Sequence, residues 1–170
     1  MISSKVFWIT GLSGAGKTTV SLLLKDHLIK RGVTPVLIDG DAVREILGGR
    51  FGYSDEDRLY LAKCYGRLCK NLSEQNQTVI CATISMFDSV REWNRKNIKN
   101  YFEIYLKTTP EILKERDPKG LYRNVGLTTK GELVGYNTNF FEEPKNPDLT
   151  FNACTKDPIE LIISTILNSI

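Results

Sequence analysis

Trp8-Ile9-Thr10-Gly11-Leu12-Ser13-Gly14-Ala15-Gly16-Lys17-Thr18-Thr19 is the stretch on which the reading of this chain turns. It follows an apolar run, Val6-Phe7-Trp8-Ile9, and leads into a helical pattern. Gly11, Gly14, Gly16, Lys17 and Thr18 satisfy G-x-x-x-x-G-K-[ST], a phosphate-binding loop. The glycines let backbone N–H groups curl around an anion without Cβ clashes. The helix that follows directs its positive dipole end at the same point. Gly11, Ser13, Gly14, Ala15, Gly16, Lys17, Thr18 and Thr19 are therefore the expected nucleotide-phosphate-binding residues, those of ATP if the chain is a kinase. Lys17 reaches the β/γ-phosphates and the Thr18 hydroxyl ligates Mg²⁺. A chance glycine-rich turn is the competing reading, and the strand–loop–helix order argues against it.

Composition sets the frame around that loop. The chain has 170 residues, 41% of them hydrophobic and 25% charged, as in ordinary soluble globular proteins. That length predicts one domain over 1–170. The long polar stretch at about 117–147, with Gly120, Gly126, Gly131 and Gly135, reads as its lid segment. The net charge of +3 suits a small anionic ligand and is too weak and too spread to indicate nucleic acid. Cys64, Cys69, Cys81 and Cys154 show no zinc or C-x-x-C spacing and read as free thiols of a reducing compartment. No apolar run approaches the ~20 residues of a membrane span, and no cleavable leader precedes the first strand. The expectation is a cytoplasmic protein with no membrane and no nucleic-acid partner.

In chain order, strands are expected at 6–10, 35–39, 78–84, 101–106 and 149–152. Helices are expected from inside the phosphate loop to about Lys30, just after Asp41, at 55–74, 88–100 and 110–116, and beyond Asp157-Pro158. In the first helix Val20, Leu23, Leu24, His27 and Leu28 share a face, so His27, the chain's one histidine, reads as a packing residue. In the third helix Leu61, Tyr65, Leu68 and Leu72 form the apolar stripe. Ile159, Ile162, Ile163 and Ile166 face the core in the last helix. Alternating strands and helices predict an α/β fold, a mostly parallel five-stranded sheet flanked by helices. The phosphate loop makes it of the P-loop NTPase, nucleotide-kinase-like type. Ligands then bind at the carboxyl ends of the strands.

The chemistry lies in what accompanies the phosphate loop. No Asn-Lys-x-Asp base reader is present, which argues against a switch GTPase. Ile80-Cys81-Ala82-Thr83-Ile84-Ser85 ends without the carboxylate of a motor or hydrolytic ATPase. The acidic groups follow the second strand instead, as Asp39-Gly40-Asp41. Two residues apart in an extended chain, both carboxylates project the same way. One can position Mg²⁺ and the other can accept a proton from an attacking hydroxyl. The guanidinium forks of Arg44 and Arg58 suit phosphate or sulfate oxygens of an acceptor, with a plain surface role as the competing reading, and Tyr53 can either stack on a base or simply pack. Arg116, Lys119 and Arg123 are candidates for closing over phosphates.

Taken together, Gly-Leu-Ser-Gly-Ala-Gly-Lys-Thr-Thr at 11–19, Ile-Asp-Gly-Asp-Ala-Val-Arg at 38–44, Gly-Tyr-Ser-Asp-Glu-Asp-Arg at 52–58, Ile-Ser at 84–85, Arg-Asp-Pro-Lys-Gly-Leu-Tyr at 116–122 and Glu-Glu-Pro-Lys-Asn-Pro-Asp at 142–148 resemble the adenylylsulfate (APS) kinase family over nearly the whole chain. The resemblance implies transfer of the ATP γ-phosphoryl group to the ribose 3′-hydroxyl of a nucleotide. It assigns the general base to Asp41, its Mg²⁺-side partner to Asp39, and acceptor binding to Arg44, Tyr53, Arg58, Ile84, Ser85 and the lid residue Lys119. It sets Arg116 beside the ATP adenine and makes a homodimer possible.

The departures from the family pattern are on the acceptor side. Leu61 replaces the asparagine of the helix motif, Met86 the proline of Ile-Ser-Pro, and Leu133 the second stacking aromatic, within Leu133-Val134-Gly135. Thr138-Asn139-Phe140-Phe141-Glu142 replaces Asp-x-Pro-Tyr-Glu. Base–aromatic stacking is worth about 1–3 kcal/mol, enough to change which acceptor wins. An intact donor side with a rewritten acceptor side resembles the cytidine diphosphoramidate kinase branch of the family, which serves capsular phosphoramidate synthesis. Leu133 is then one of the substrate-binding residues, suited to a smaller pyrimidine. APS itself stays open as the acceptor. A non-catalytic or hydrolytic nucleotide-binding protein is the reading of another class, which the presence of Asp41 argues against.

Overall fold

A computed structural model describes residues 4–116, 141–152 and 159–169. Five strands, β1 (Val6–Thr10), β2 (Val36–Asp39), β3 (Val79–Thr83), β4 (Tyr101–Lys107) and β5 (Leu149–Asn152), form one sheet in the order β2-β3-β1-β4-β5. Every neighbouring pair is parallel. The helices are α1 (Lys17–Lys30), α2 (Gly40–Ile46), α3 (Asp55–Glu74), α4 (Asp88–Asn97), α5 (Pro110–Arg116) and α6 (Ile159–Asn168).

The central strand explains the layering. Side chains alternate across a strand. Val6 and Trp8 enter the core on one face, with Leu61 and Tyr65 of α3 and Val90 of α4. Phe7 and Ile9 enter the core on the other, with Leu24 and Leu28 of α1 and Ile163 and Ile166 of α6. A strand covered on both faces has no polar side, so all five residues of β1 and of β3 are buried. Register then fixes the site. Thr10 pairs with Thr83, and Asp39 with Ala82, so β1, β2 and β3 end on the same edge of the sheet.

The helix faces needed correcting where small residues decide them. On α3 the buried set is Leu61, Ala62, Tyr65, Gly66 and Cys69, whereas Leu68, expected on the stripe, is 41% exposed. Gly66 is the reason α4 lies so close. A Cβ there would fall 2.3 Å from Asn94 Oδ1, so only glycine admits that side chain. The apolar-stripe rule weighs large side chains and overlooks such a contact. Helix α4 ends at Asn97, three residues short of the expected end, and Asn100 turns the chain with φ 57°. Strand β3 is one residue shorter at each end than expected, and β2 starts one residue after Pro35.

His27 is half-buried, with a ring nitrogen 2.9 Å from the Leu23 carbonyl, in keeping with a packing role. Cys69 and Cys81 are buried free thiols and Cys64 is half-buried. Cys154, Lys119, Leu133, Arg123, the Asp157-Pro158 cap and most of the expected lid lie outside the described residues. Among the described residues no helix is long and apolar enough to cross a membrane.

Candidate active site

The loop after β1 is shaped by its glycines. Gly11 has φ 154°, and a Cβ on it would sit 2.6 Å from the Leu106 carbonyl oxygen. Gly16 caps α1 in the left-handed conformation, with φ 92°, and no side chain caps that helix end. Its first-turn N–H groups therefore point outward as donors. Lys17 Nζ donates to the Gly11 and Leu12 carbonyls at 2.9 and 2.8 Å. Those bonds hold the ammonium beneath the loop. Ser13, Gly14, Gly16, Lys17, Thr18 and Thr19 all line a cleft of about 260 Å³. Gly11 and Ala15 are buried and support the loop from behind.

The second wall is the corner between β2 and α2. Asp39 is both the last residue of the strand and the N-cap of the helix. Its Oδ1 accepts from the Asp41 and Ala42 N–H groups at 2.9 and 3.3 Å. Its Oδ2 accepts from the Thr18 hydroxyl at 3.2 Å. One carboxylate thus caps a helix and faces the phosphate loop. Asp39 and Asp41 both line the cleft, as expected. They reach it by a different route, however. The extended-chain alternation does not apply, because Gly40 and Asp41 already lie in the first turn of α2.

The third wall joins the end of α2 to the start of α3. Arg44 Nη1 donates to the Gly52 carbonyl at 2.7 Å, and Arg58 Nε to the Tyr53 carbonyl at 2.7 Å. Both guanidinium groups also lie against the Tyr53 ring, 4.8 and 5.4 Å from its centre. Ser54 caps α3 by accepting from Asp57 N–H, while Asp57 Oδ2 accepts from Gly52 N–H and the Ser54 hydroxyl. A basic, aromatic rim is built this way.

The floor is the turn after β3. Ser85 is buried with φ 27°, a conformation costing about 1–3 kcal/mol in a non-glycine residue. Its hydroxyl pairs with that of Thr83 at 2.8 Å, and the Thr10 hydroxyl holds the Ile84 carbonyl. Buried Arg91 secures the far side, donating to the Ser85 carbonyl at 3.5 Å and the Glu142 carbonyl at 2.7 Å. Burial opposes ionisation of Asp88, but Lys145 and Arg91 outweigh it and hold its carboxyl below the usual range. Glu103 goes the other way, pushed up by burial against the pull of Arg91 and Arg95.

The cleft thus gathers most of the residues singled out from sequence: Lys17, Thr18, Asp39, Asp41, Arg44, Tyr53, Arg58, Ile84 and Ser85. Arg116 ends α5, and Lys119 and Leu133 fall outside the described residues. The family model whose description is adenylylsulphate kinase matches residues 3–152. The chain belongs to the adenylylsulphate kinase family. It is 35% identical over 164 residues to the cytidine diphosphoramidate kinase of Campylobacter jejuni, covering 95% of each. It is equally 35% identical, over 169 residues, to the adenylyl-sulfate kinase of Prochlorococcus marinus, covering 96% of this chain and 84% of that one. Among solved structures, the Mycobacterium tuberculosis APS kinase CysC in complex with AMPPNP and APS superposes with a TM-score of 0.85 at 28% identity, covering 98% and 97% of the two chains. This member of the adenylylsulphate kinase family is thus an APS-kinase-like kinase, with equal identity to relatives named for two different acceptors.

Sequence reasoning missed Tyr65. Read as core because it sits in an apolar stripe, it lines the cleft beside Leu61 and donates its hydroxyl to the Gly40 carbonyl at 3.2 Å. Its one signal was a polar tip four residues beyond Leu61, on the same helix face. Phe87 also lines the cleft and carried no signal at all.

Proposed function

We propose that this kinase transfers the γ-phosphoryl group of ATP to the ribose 3′-hydroxyl of a nucleotide acceptor, with cytidine diphosphoramidate as the preferred acceptor. The observation that carries the reading is Asp41, exposed on the cleft wall between a phosphate loop and an arginine–tyrosine rim. In the reaction the acceptor oxygen bonds to the γ-phosphorus, the bond to the bridging oxygen breaks, and ADP leaves. Asp41 takes the hydroxyl proton. Lys17 and the loop N–H groups hold the β/γ-phosphates, and Arg44 and Arg58 orient the acceptor.

The donor set fits Mg²⁺. Thr18 Oγ1 and Asp39 Oδ2 are hard oxygen ligands 3.2 Å apart. Among the described residues no group of three or more His, Cys, Asp or Glu side chains gathers to hold a metal. That suits an ion bound by one or two protein oxygens plus phosphates and water. When bound there, Mg²⁺ neutralises charge on the transferring phosphates.

The cytidine reading is supported by Leu61, which puts an apolar wall of 1% exposure into the cleft where the family carries a polar side chain. It is further supported by the relative named for that acceptor, matched over 95% of both chains. The alternative is APS, favoured by the equal identity to adenylyl-sulfate kinases and by the solved APS complex. ATP consumption with Mg²⁺ and each acceptor at equal concentration separates them. At least a tenfold higher kcat/KM is expected for cytidine diphosphoramidate; the reverse order assigns the protein to APS phosphorylation. Lys17→Ala raises the Kd for ATP about tenfold or more and lowers kcat as well, since Lys17 serves both ground state and transition state. Unchanged ATP affinity in a titration of that variant would remove Lys17 from the phosphate site.

A further inference from the structure

We propose that Tyr65 is the positioning residue for Asp41, its hydroxyl pinning the strand-to-helix corner from which that carboxylate enters the cleft. The inference rests on the reading of Asp41 as the base. The Tyr65 ring is 4% exposed and packed in the core that also holds Trp8, Ile38 and Cys81. Its hydroxyl leaves that core and donates to the carbonyl of Gly40, 3.2 Å away. Gly40 stands between the two aspartates. On its other side the corner already rests on β3, since a Cβ on Gly40 would lie 3.4 Å from Thr83 Oγ1. Gly40 is therefore held between the end of one strand and a phenol anchored in the core of α3.

Position is what this clamp controls. Glycine has the loosest backbone of any residue, and Gly40 is the link between Asp39 and Asp41. Rotation of its peptide carries the Asp41 carboxylate away from the acceptor. A misplacement on the order of 1 Å at a reacting group costs up to about 10²-fold in rate. The hydroxyl does not itself act as the base. Burial pushes it up to about 12, with the Arg44 charge opposing and the Asp41 charge adding, so it stays a donor at neutral pH. Arg44 and Asp41 line the same cleft as the phenol.

The test is Tyr65→Phe, which keeps the ring and removes the donor, combined with Asp41→Ala in a double-mutant cycle. Folding is checked by circular dichroism, and rates are compared well below the unfolding midpoint of every variant. The expected result is a kcat about tenfold lower in Tyr65→Phe, with KM for ATP unchanged. A purely structural tyrosine would shift the midpoint without this split. In the Asp41→Ala background the same substitution should cost less than about twofold, because its effect runs through a carboxylate no longer present. Wild-type kcat in Tyr65→Phe overturns the proposal, as does an equal loss in both backgrounds. The reading beneath it fails separately. Full activity of Asp41→Ala alone removes the base assignment whatever Tyr65→Phe does, whereas a crippled Asp41→Ala with a normal Tyr65→Phe overturns only the positioning role.

Discussion

Asp41→Ala lowers kcat by at least about 10²-fold while leaving ATP affinity nearly unchanged. Two features of the corner between β2 and α2 lead to this expectation. Asp41 is exposed to the cleft, so removing its carboxylate empties no core space. The capping of α2 depends on the backbone N–H of Asp41, which Asp39 Oδ1 accepts, and alanine retains that N–H. The variant should therefore fold and bind ATP, and its loss should be confined to the proton-transfer step. Steady-state kcat with saturating acceptor, alongside an ATP titration, provides the check. A kcat within twofold of wild type would sink the base assignment. A matching loss of ATP affinity would move Asp41 to the donor side. Asp39→Ala differs in kind, since it also removes the cap of α2 and the partner of Thr18.

Arg91→Ala destabilises the fold by about 3–5 kcal/mol, the usual cost of removing one partner from a buried ion pair. Arg91 is 4% exposed and reaches three segments at once. It bonds Asp88 at the start of α4 and the carbonyls of Ser85 and Glu142, and its Nε lies 3.6 Å from Glu103 on β4. Without it, buried Glu103 retains Arg95, whose side chain is 43% exposed, at 3.2 Å. At about 2–4 °C per kcal/mol for a chain of this size, the midpoint drops by roughly 6–20 °C. Arg91→Lys should recover little, because one ammonium cannot span the carbonyls and carboxylates that the planar fork reaches. A thermal melt within 2 °C of wild type would show the network to be dispensable. The same network sets an acid dependence. Asp88 sits below its ordinary range, so its contribution is fully present above the ordinary carboxylate pKa and is lost as pH falls through the lowered one. Glu103, raised by burial, acts with the opposite sign: its contribution is greatest at low pH and is lost as pH rises through the raised value.

Legibility in the sequence followed the range of the interaction. The phosphate loop was readable because its chemistry is carried by consecutive residues. Gly11 and Gly16 take backbone angles that select glycine, and Lys17 folds back onto carbonyls five and six residues away. The Asp39-Gly40-Asp41 pair was recognisable by residue type, but its geometry was misjudged. Extended alternation assumes that the strand continues, whereas the Asp39 side chain ends it by capping α2. The rim of Arg44, Tyr53 and Arg58 was legible as three residues and illegible as an assembly. Nothing in the spacing says that both guanidinium groups meet one ring.

The sequence by itself therefore determined the α/β class, the parallel sheet, the phosphate loop, the family and the residue types of the arginine–tyrosine rim. Periodicity, glycine placement and contiguous motifs carry all of these, and each is a property of near neighbours in the chain. Tertiary structure alone decided that Tyr65 turns its hydroxyl toward Gly40 across 25 positions, and that Arg91, while holding Ser85, reaches the Glu142 carbonyl across a separation of 51. It also decided that Gly66 seats the side chain of Asn94. The reason is physical. A hydrogen bond or a close packing contact between distant segments depends on the register of β1 with β3 and on the separation of α3 from α4, and no local pattern of residues encodes either distance.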